Sequence, residues 1–349
     1  MTQLKFSHRI KYGWYQWIDK WLGRKRGVKL TLKSRRKFYE KVRQHLMKGG
    51  PGKLVEIDRV SNITLKELKK NYIRKSKPVV IEGGAKEWGC VKDWSIDYFR
   101  ELHGDDEVTV VANDALEAPY EILSLSAVLD DIQAGGSRYY RFYPLLKNHP
   151  EHIHDFDYEW IRKAKSKFGF WEQFQVFIGG KDTYTPIHNA MASNIFVQAH
   201  GEKEWVMYPP QLSAIIDPEP SVNFHRGAPF KTTEGPYNPF ESEYPPSYSL
   251  YEYIDGIKVH LKPGDIMYNP PHYWHAVKNP TESIGIGYRW ISPGASFRSA
   301  PWYTFMDVIT APFNKNVYLN MKKDYNIVHL IELGAYNDYL KDKKSKKNG

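Results

Sequence analysis

The chain has 349 residues, of which 41% are hydrophobic and 15% aromatic, so it can bury a sizeable core and wholesale disorder is excluded. Its single cysteine, Cys90, excludes a disulfide framework and any cysteine-based zinc or iron–sulfur site, as expected in a reducing compartment. The net charge of +10 is uneven, because residues 1–50 carry +13 and residues 341–349 carry +4, which leaves about −7 elsewhere and argues against a basic RNA-binding core.

The first 50 residues are predicted to form a basic helical arm. Trp14, Trp17, Ile18 and Trp21 repeat at helical spacing. We expect this stripe to pack against the domain, and the basic face to be either plainly solvated or a docking surface for an acidic partner. Neither a signal-peptide core nor a run of about 18 apolar residues is present, so we expect a cytoplasmic protein without a membrane span.

The remainder is predicted to be mainly β with helical additions. Helical and extended patterns alternate over residues 51–170, and later segments alternate with period two between turns that contain glycine or proline. The proline-rich stretch 209–247 is expected to be a long surface excursion. A C-terminal helical region is expected over 300–340 and a disordered basic tail over 341–349.

Two histidines lie in a setting that suits a metal. His188 is expected to open a strand, in which position 190 shares its face because side chains alternate with period two. His275 is expected on a second strand. Two imidazoles that point inward from neighbouring strands of a small barrel suit a divalent transition metal. Most of the 13 histidines in the chain have no such setting.

Two segments carry a family resemblance. TPIHNAMASNIFVQAHGEKEWVMYPP (185–210) and LKPGDIMYNPPHYWHAVKN (261–279) resemble the cupin-like branch of the Jumonji-C 2-oxoglutarate oxygenases. Within that family they look closest to the asparaginyl hydroxylase branch that inhibits hypoxia-inducible factor, and residues 77–104 resemble its entry region. The resemblance implies a double-stranded β-helix, or jelly-roll, as the catalytic domain over residues 51–299.

The same resemblance implies the cofactors and the site. Fe(II), 2-oxoglutarate and O2 are expected. His188 and His275 correspond to the metal-binding and catalytic histidines, and Lys203 corresponds to the lysine that pairs with the distal carboxylate of 2-oxoglutarate. Thr185 and Asn194 match polar residues that line the co-substrate pocket. A lysine on the adjoining strand is a sensible point charge for a dicarboxylate.

One position departs from the family. The third ligand, an Asp or Glu two residues after the first histidine, is replaced by Ala190, and Asn189 should point to the other face. Three interpretations follow: chloride or bromide occupies the position beside Ala190 and the enzyme is a halogenase; water occupies it and the enzyme is a hydroxylase of a peptide, amino acid or RNA; or the domain is an inactive binding module. We favour the halogenase among these three. A fourth interpretation, in which His200 or His272 replaces the missing ligand, is weaker.

The substrate is left open by the sequence. A small molecule, a peptide and a carrier-protein-bound acyl group all fit the predicted chemistry. Some relatives form homodimers through C-terminal helices, and by analogy residues 300–340 are a candidate homodimer interface.

Overall fold

Two facing β-sheets form the centre of the protein in the computed structural model. The model describes residues 1–111, 120–136, 138–143, 145–218, 225–227, 237–241 and 248–310. The six-stranded sheet has the order β1-β12-β10-β14-β8-β11, and the seven-stranded sheet has the order β2-β3-β13-β9-β15-β7-β6. The strands are β1 (Leu54–Glu56), β2 (Arg59–Val60), β3 (Val79–Ile81), β4 (Glu107–Val111), β5 (Tyr120–Ser124), β6 (Tyr139–Tyr143), β7 (Phe170–Gly179), β8 (Tyr184–Ala190), β9 (Ser193–His200), β10 (Lys203–Tyr208), β11 (His225–Gly227), β12 (Gly256–Leu261), β13 (Ile266–Asn269), β14 (Trp274–Lys278) and β15 (Ser283–Ile291). A jelly-roll core with helical additions, as predicted, is confirmed.

Helices flank the two sheets and connect their strands. The α-helices are α1 (Phe6–Leu22), α2 (Arg24–Met47), α3 (Leu65–Leu68), α4 (Gly89–Lys92), α5 (Ile96–His103), α6 (Leu125–Gln133), α7 (Leu145–Asn148), α8 (Tyr158–Ala164), α9 (Ser213–Ile216), α10 (Pro293–Ser299) and α11 (Pro301–Thr310). A π-helix (Lys69–Ile73) follows α3, and short 3-10 helices span Pro150–His154, Pro210–Leu212 and Tyr251–Tyr253. None of the described helices is both long and apolar enough to span a bilayer.

Strict alternation along the strands decides which side chains enter the space between the sheets. In β9, Phe196 points inward and contacts Trp205 of β10 at 5.2 Å between ring centroids. Its neighbours Ile195 and Val197 point outward into the core beneath the helices. The inward apolar residues of both sheets form one cluster, here called the interior cluster: Ile57, Val80, Tyr139, Phe177, Phe196, Trp205, Met207, Ile257, Val259, Leu261, Met267 and Val277.

The N-terminal helices lie against the outer side of the six-stranded sheet. Tyr12 donates a hydrogen bond to Asp217 at 3.1 Å, and Arg24 forms an ion pair with the same carboxylate. Asp19 is fully buried and accepts from Arg35 at 2.6 Å. Burial raises the pKa of Asp19, and Arg35 opposes this shift by its charge. These contacts tie the basic helices to the domain instead of leaving them detached.

A glycine-containing turn connects β12 of the six-stranded sheet to β13 of the seven-stranded sheet. Gly264 has φ +91°, and a Cβ there would meet the backbone of Lys86 at 3.2 Å. Only glycine fits such a left-handed position at close backbone approach. Asp265 accepts a hydrogen bond from the backbone N–H of Lys262 at 3.2 Å. The composition of the Lys-Pro-Gly-Asp sequence predicts a β-hairpin; the sequence does form a turn, but the strands that it joins lie in different sheets, so the hairpin prediction is wrong.

The excursion 209–247 contains more regular structure than the sequence predicts. Residues 213–216 form a buried helical turn, and β11 pairs with β8 as an edge strand. The sequence does not predict this strand, because it has only three residues and lies in a proline-rich stretch. Residues 311–349, which hold most of the predicted C-terminal helical region and the predicted disordered tail, lie outside the described residues.

Candidate functional site

His188 and His275 face each other across two neighbouring strands. They are direct partners in the antiparallel β8–β14 register, and their ring centroids lie 4.2 Å apart. The ring of Trp205 stacks on His275 at 5.1 Å and so fixes one side of that imidazole. Two imidazoles this close can share one metal ion.

Backbone carbonyls set the tautomer of both rings. The Nδ1 of His188 bonds to the carbonyl of Pro186 at 2.8 Å, and the Nδ1 of His275 bonds to the carbonyl of Tyr273 at 2.9 Å. A carbonyl only accepts, so each Nδ1 carries the hydrogen and the lone pair of a neutral ring is on Nε2. Metal-binding histidines are commonly oriented in this way by a carbonyl on the other ring nitrogen.

Ala190 stands on the same face as His188, two residues further along β8. Asn189 lies on the opposite face, where its Nδ2 donates to the carbonyl of His272 at 3.2 Å. In the part of the chain that the structure describes, no group of three or more His, Cys, Asp or Glu side chains is arranged to hold a metal ion. Two histidines are thus brought together without a neighbouring carboxylate among the described residues.

His200 and His272 both have partners away from this pair. His200 lies 3.6 Å from Glu282. The fully buried His272 bonds through Nε2 to Thr304 Oγ1 at 3.0 Å, and burial holds its pKa well below the usual value. Neither geometry supports the replacement of the missing carboxylate.

Lys203 places a cation inside the jelly roll. It opens β10, is fully buried and donates a hydrogen bond to Asn279 Oδ1. The Nδ2 of Asn279 donates in turn to Thr183 at 2.7 Å, which fixes the orientation of the amide. The ammonium lies 5.4 Å from the ring centroid of Tyr139 and 5.9 Å from that of Phe196. A buried ammonium among aromatic rings is a strong attractor for a carboxylate.

A β-bulge brings Thr185 to the interior. Thr185 pairs with Val277, whereas His188 pairs with His275, so three residues of β8 span two of β14. Val277 belongs to the interior cluster, so its partner Thr185 shares the inward face with His188 despite the odd spacing. Strand periodicity alone places these two residues on opposite faces.

Asn194 lies in a band of polar side chains on the facing sheet. The register pairs Arg289 with both Gln173 and Asn194, and pairs Asn194 with Asn269. Each of these residues alternates with an outward apolar neighbour, so all four point inward. We call Gln173, Arg289, Asn194 and Asn269 the polar row.

Arg289 is absent from the residues that the sequence singles out. The signal was present in β15, where Ile284, Ile286, Tyr288 and Trp290 form one apolar face, and Arg289 lies on the other. Strand periodicity gives the two faces, but which of them lines the interior depends on the sheet that the strand joins.

The sequence of the chain matches one protein family and is similar to several known proteins. The family model of the cupin-like domain matches residues 65–295. The chain is similar to the 2-oxoglutarate and iron-dependent oxygenase JMJD4 of Danio rerio, with 25% identity over 257 residues, covering 64% of this chain and 57% of the relative.

Two further relatives show the same degree of similarity. The JmjC domain-containing protein D of Dictyostelium discoideum is 26% identical over 252 residues, covering 64% of this chain and 53% of the relative. The lysine-specific demethylase JMJ30 of Arabidopsis thaliana is 25% identical over 255 residues, covering 70% of this chain and 56% of the relative. The chain spans about half the length of these curated relatives.

Proposed function

The chain belongs to the family of cupin-like domain proteins, and from this premise we propose that it is an Fe(II)- and 2-oxoglutarate-dependent enzyme, specifically a halogenase that installs chloride or bromide on an unactivated carbon. The resemblance predicted from residues 185–210 and 261–279 is confirmed at the level of the cupin-like family. The narrower resemblance to the asparaginyl hydroxylases stays a prediction.

The observation that carries the proposal is the facing pair of His188 and His275 beside Ala190. The donor set fits Fe(II), because imidazole nitrogens suit iron and both rings are held with the lone pair on Nε2. We infer that these two side chains are the protein's metal ligands. Ala190 leaves the place of a carboxylate to an external anion or to water.

The co-substrate is proposed to lie beside Lys203. The buried ammonium, oriented by Asn279, pairs with the distal carboxylate of 2-oxoglutarate. Thr185 and Asn194 contribute hydrogen bonds from opposite sheets. The aromatic rings of Tyr139 and Phe196 exclude water around the ammonium, which strengthens its attraction for the dianion.

The proposed reaction is balanced with halide as a co-substrate. 2-Oxoglutarate, O2, R–H, chloride and a proton yield succinate, CO2, R–Cl and water, so the two-electron oxidation of 2-oxoglutarate and that of the carbon together reduce O2. When bound, the iron supplies the oxidative cleavage of 2-oxoglutarate and the attack on the C–H bond. A neutral methyl group at position 190 offers neither steric bulk nor negative charge against a halide.

Hydroxylation is the second candidate, and the relatives favour it. Of the three relatives described above, one is named as an oxygenase, one as a demethylase and one only as a JmjC domain-containing protein, and none is named as a halogenase. In this alternative, water takes the position beside Ala190.

Ala190→Asp is the variant that separates the two candidates. Restoring a carboxylate on the inward face should block halide binding by charge and bulk, so halide-dependent perturbation of the Fe(II)–2-oxoglutarate absorption band should disappear while 2-oxoglutarate still binds. The spectra are measured anaerobically with chloride and with bromide. Ala190→Ser is the matched control, because it adds bulk without charge.

The outcomes distinguish the candidates clearly. A halide-dependent band in the wild type that is lost in Ala190→Asp supports the halogenase. A wild-type band that does not respond to saturating halide rejects the halogenase and leaves the hydroxylase. Failure of the wild type to bind Fe(II) and 2-oxoglutarate rejects both and leaves a binding module.

A further inference from the structure

The outer side of α1 carries a row of large apolar side chains, here called the α1 ridge: Phe6, Ile10, Trp14, Trp17 and Trp21. Their spacing of three or four residues places them on one side of the helix, over a length of about 22 Å. Phe6, Ile10, Trp14 and Trp21 expose 68, 48, 56 and 57% of their surface. The sequence predicts that the tryptophans pack against the domain, whereas Trp14 and Trp21 are more than half exposed.

Helix α11 extends the α1 ridge sideways. The ring of Phe305 stacks on that of Trp17, with 6.1 Å between the centroids, and the ring of Trp302 lies 6.1 Å from those of both Trp14 and Trp17. Phe305 is itself 41% exposed. A contiguous, exposed apolar surface on a folded protein marks a place where it meets another molecule or a membrane.

The helices beside the α1 ridge are strongly basic. The structure describes all of residues 1–50, and twelve of their fifteen Lys and Arg side chains are exposed. Within this range Glu40 is the one exposed acid. The other acid, Asp19, is fully buried and forms ion pairs with Arg24 and Arg35. The exposed charge of these helices is therefore almost wholly positive and attracts an anionic surface.

Positive charge borders the α1 ridge on both sides. Consecutive residues of a helix are about 100° apart around its axis, so Arg9 and Lys11 lie on opposite sides of Ile10. Both are exposed, and the guanidinium of Arg9 lies 5.5 Å from the ring centroid of Phe6. Apolar side chains along the middle with cations at both edges are typical of a helix that lies in the plane of a lipid headgroup layer.

An acidic bilayer matches this surface better than a second copy of the chain does. Two copies would bring two segments of charge +13 face to face, and their like charges would repel. A bilayer with acidic lipids complements the charge. Its headgroup layer is also where tryptophan rings accumulate, because they combine an apolar body with a polar N–H. A fluid surface adapts to the outward face of a helix and needs no preformed groove.

We propose that the α1 ridge docks the protein on the surface of an anionic phospholipid bilayer. The aromatic rings enter the headgroup layer, and Arg9, Lys11 and the other exposed basic side chains of residues 1–50 lie beside the lipid phosphates. The attachment is peripheral, because α1 lies along the membrane surface while its other side stays packed on the domain. This inference goes beyond the proposed function and does not depend on it.

The apolar contribution is tested by co-flotation of the full chain with vesicles. The vesicles contain equal parts of phosphatidylcholine and phosphatidylserine, or phosphatidylcholine alone. The double variant Trp14→Ala with Trp21→Ala removes two exposed rings from the α1 ridge. Phe168→Ala is the matched control, because it removes a ring that is 81% exposed just before β7 of the other sheet. Lipids with brominated acyl chains quench the fluorescence of tryptophans that enter the bilayer.

The electrostatic contribution is tested in the same assay. The double variant Arg9→Gln with Lys11→Gln removes the two charges that border the ridge. Lys66→Gln with Lys70→Gln removes two exposed charges elsewhere and is its control. Urea unfolding of every variant shows whether the fold is kept.

The expected result is that the wild type floats with the mixed vesicles far more than with phosphatidylcholine alone, and that brominated lipid quenches its fluorescence. The partition coefficient should fall about tenfold or more without the two tryptophans, because their apolar contact is lost. It should fall about tenfold without Arg9 and Lys11, because two attractions to the acidic surface are lost. Both controls should stay within about twofold of the wild type.

Four results would overturn the proposal. The first is a wild type that does not float with the mixed vesicles. The second is an equal loss in a variant and its control, and the third is flotation without quenching, which would mean binding by charge alone. The fourth is another occupant of the ridge: light scattering would identify a dimer that depends on Trp14 and Trp21, and binding to polyglutamate instead of vesicles would identify an acidic protein.

Discussion

Two enclosed arginines in this protein differ in whether a carboxylate lies beside the guanidinium. Arg226 of β11 lies outside the sandwich, where it forms two hydrogen bonds with Asp307 of α11, at 3.1 and 2.5 Å, and its guanidinium lies 4.2 Å from the ring centroid of Tyr303. Arg289 lies between the sheets and has no such carboxylate among the described residues. The paired arginine joins a helix to an edge strand, whereas Arg289 has no carboxylate beside it among the described residues.

The largest expected effect comes from breaking the matched pair. Asp307→Ala leaves Arg226 buried without its anion and should lower the free energy of unfolding by about 3–5 kcal/mol. Urea unfolding followed by tryptophan fluorescence measures this change. The double variant Arg226→Met with Asp307→Leu should recover most of the loss, because an apolar pair of similar volume needs no compensating charge. Equal destabilisation by both variants would show that packing, not charge, is decisive.

A smaller effect of opposite sign is expected at the unmatched arginine. Arg289→Met removes an enclosed charge that no protein group compensates, so it should raise the free energy of unfolding by about 1 kcal/mol in the ligand-free protein. The same urea titration measures it, with Arg298→Met on the surface as the control. A clear loss of stability in Arg289→Met would mean that the guanidinium supports the fold, and the contrast with Arg226 would be lost.

The third effect, of similar size, concerns a histidine that stays uncharged in the folded protein. Burial, aided by the charges of His149 and His152, lowers the pKa of His103 to about 4. Below the ordinary histidine pKa of about 6.5, the unfolded chain binds a proton at this residue, whereas the folded protein does not. The free energy of unfolding therefore decreases as the pH falls from about 6.5 towards 4.

Urea titrations at pH 7 and pH 5 test this third case. His103 should contribute about 1 kcal/mol to the loss of stability between these two values. His103→Gln should therefore lose less stability than the wild type over the same interval. An unchanged pH dependence in the variant would place the titration on another group.

Much of the site was predictable because its residues follow simple periodicity. His188 and position 190 share a face, as alternation requires, and Asn189 lies on the other. The motif resemblance also predicted the jelly roll and directed attention to Lys203, which is indeed enclosed between the sheets.

The parts that were not predictable depend on tertiary geometry. Thr185 reaches the interior only through a bulge, and a bulge has no signature in a single sequence. The edge strand β11 is too short to stand out from its proline-rich surroundings. The polar row needed the pairing of four strands that are scattered along the chain, so its members could not be grouped beforehand.

The head-on placement of His188 and His275 has a consequence for the order of assembly. The two residues lie far apart in sequence and meet only when β8 and β14 adopt one register, since a one-residue slip would turn the imidazoles of the slipped strand outward. Iron would therefore bind only after the domain has folded. Unlike a zinc finger, this protein should fold before it binds a metal ion. Removal of the metal by a chelator should therefore abolish its activity without unfolding it.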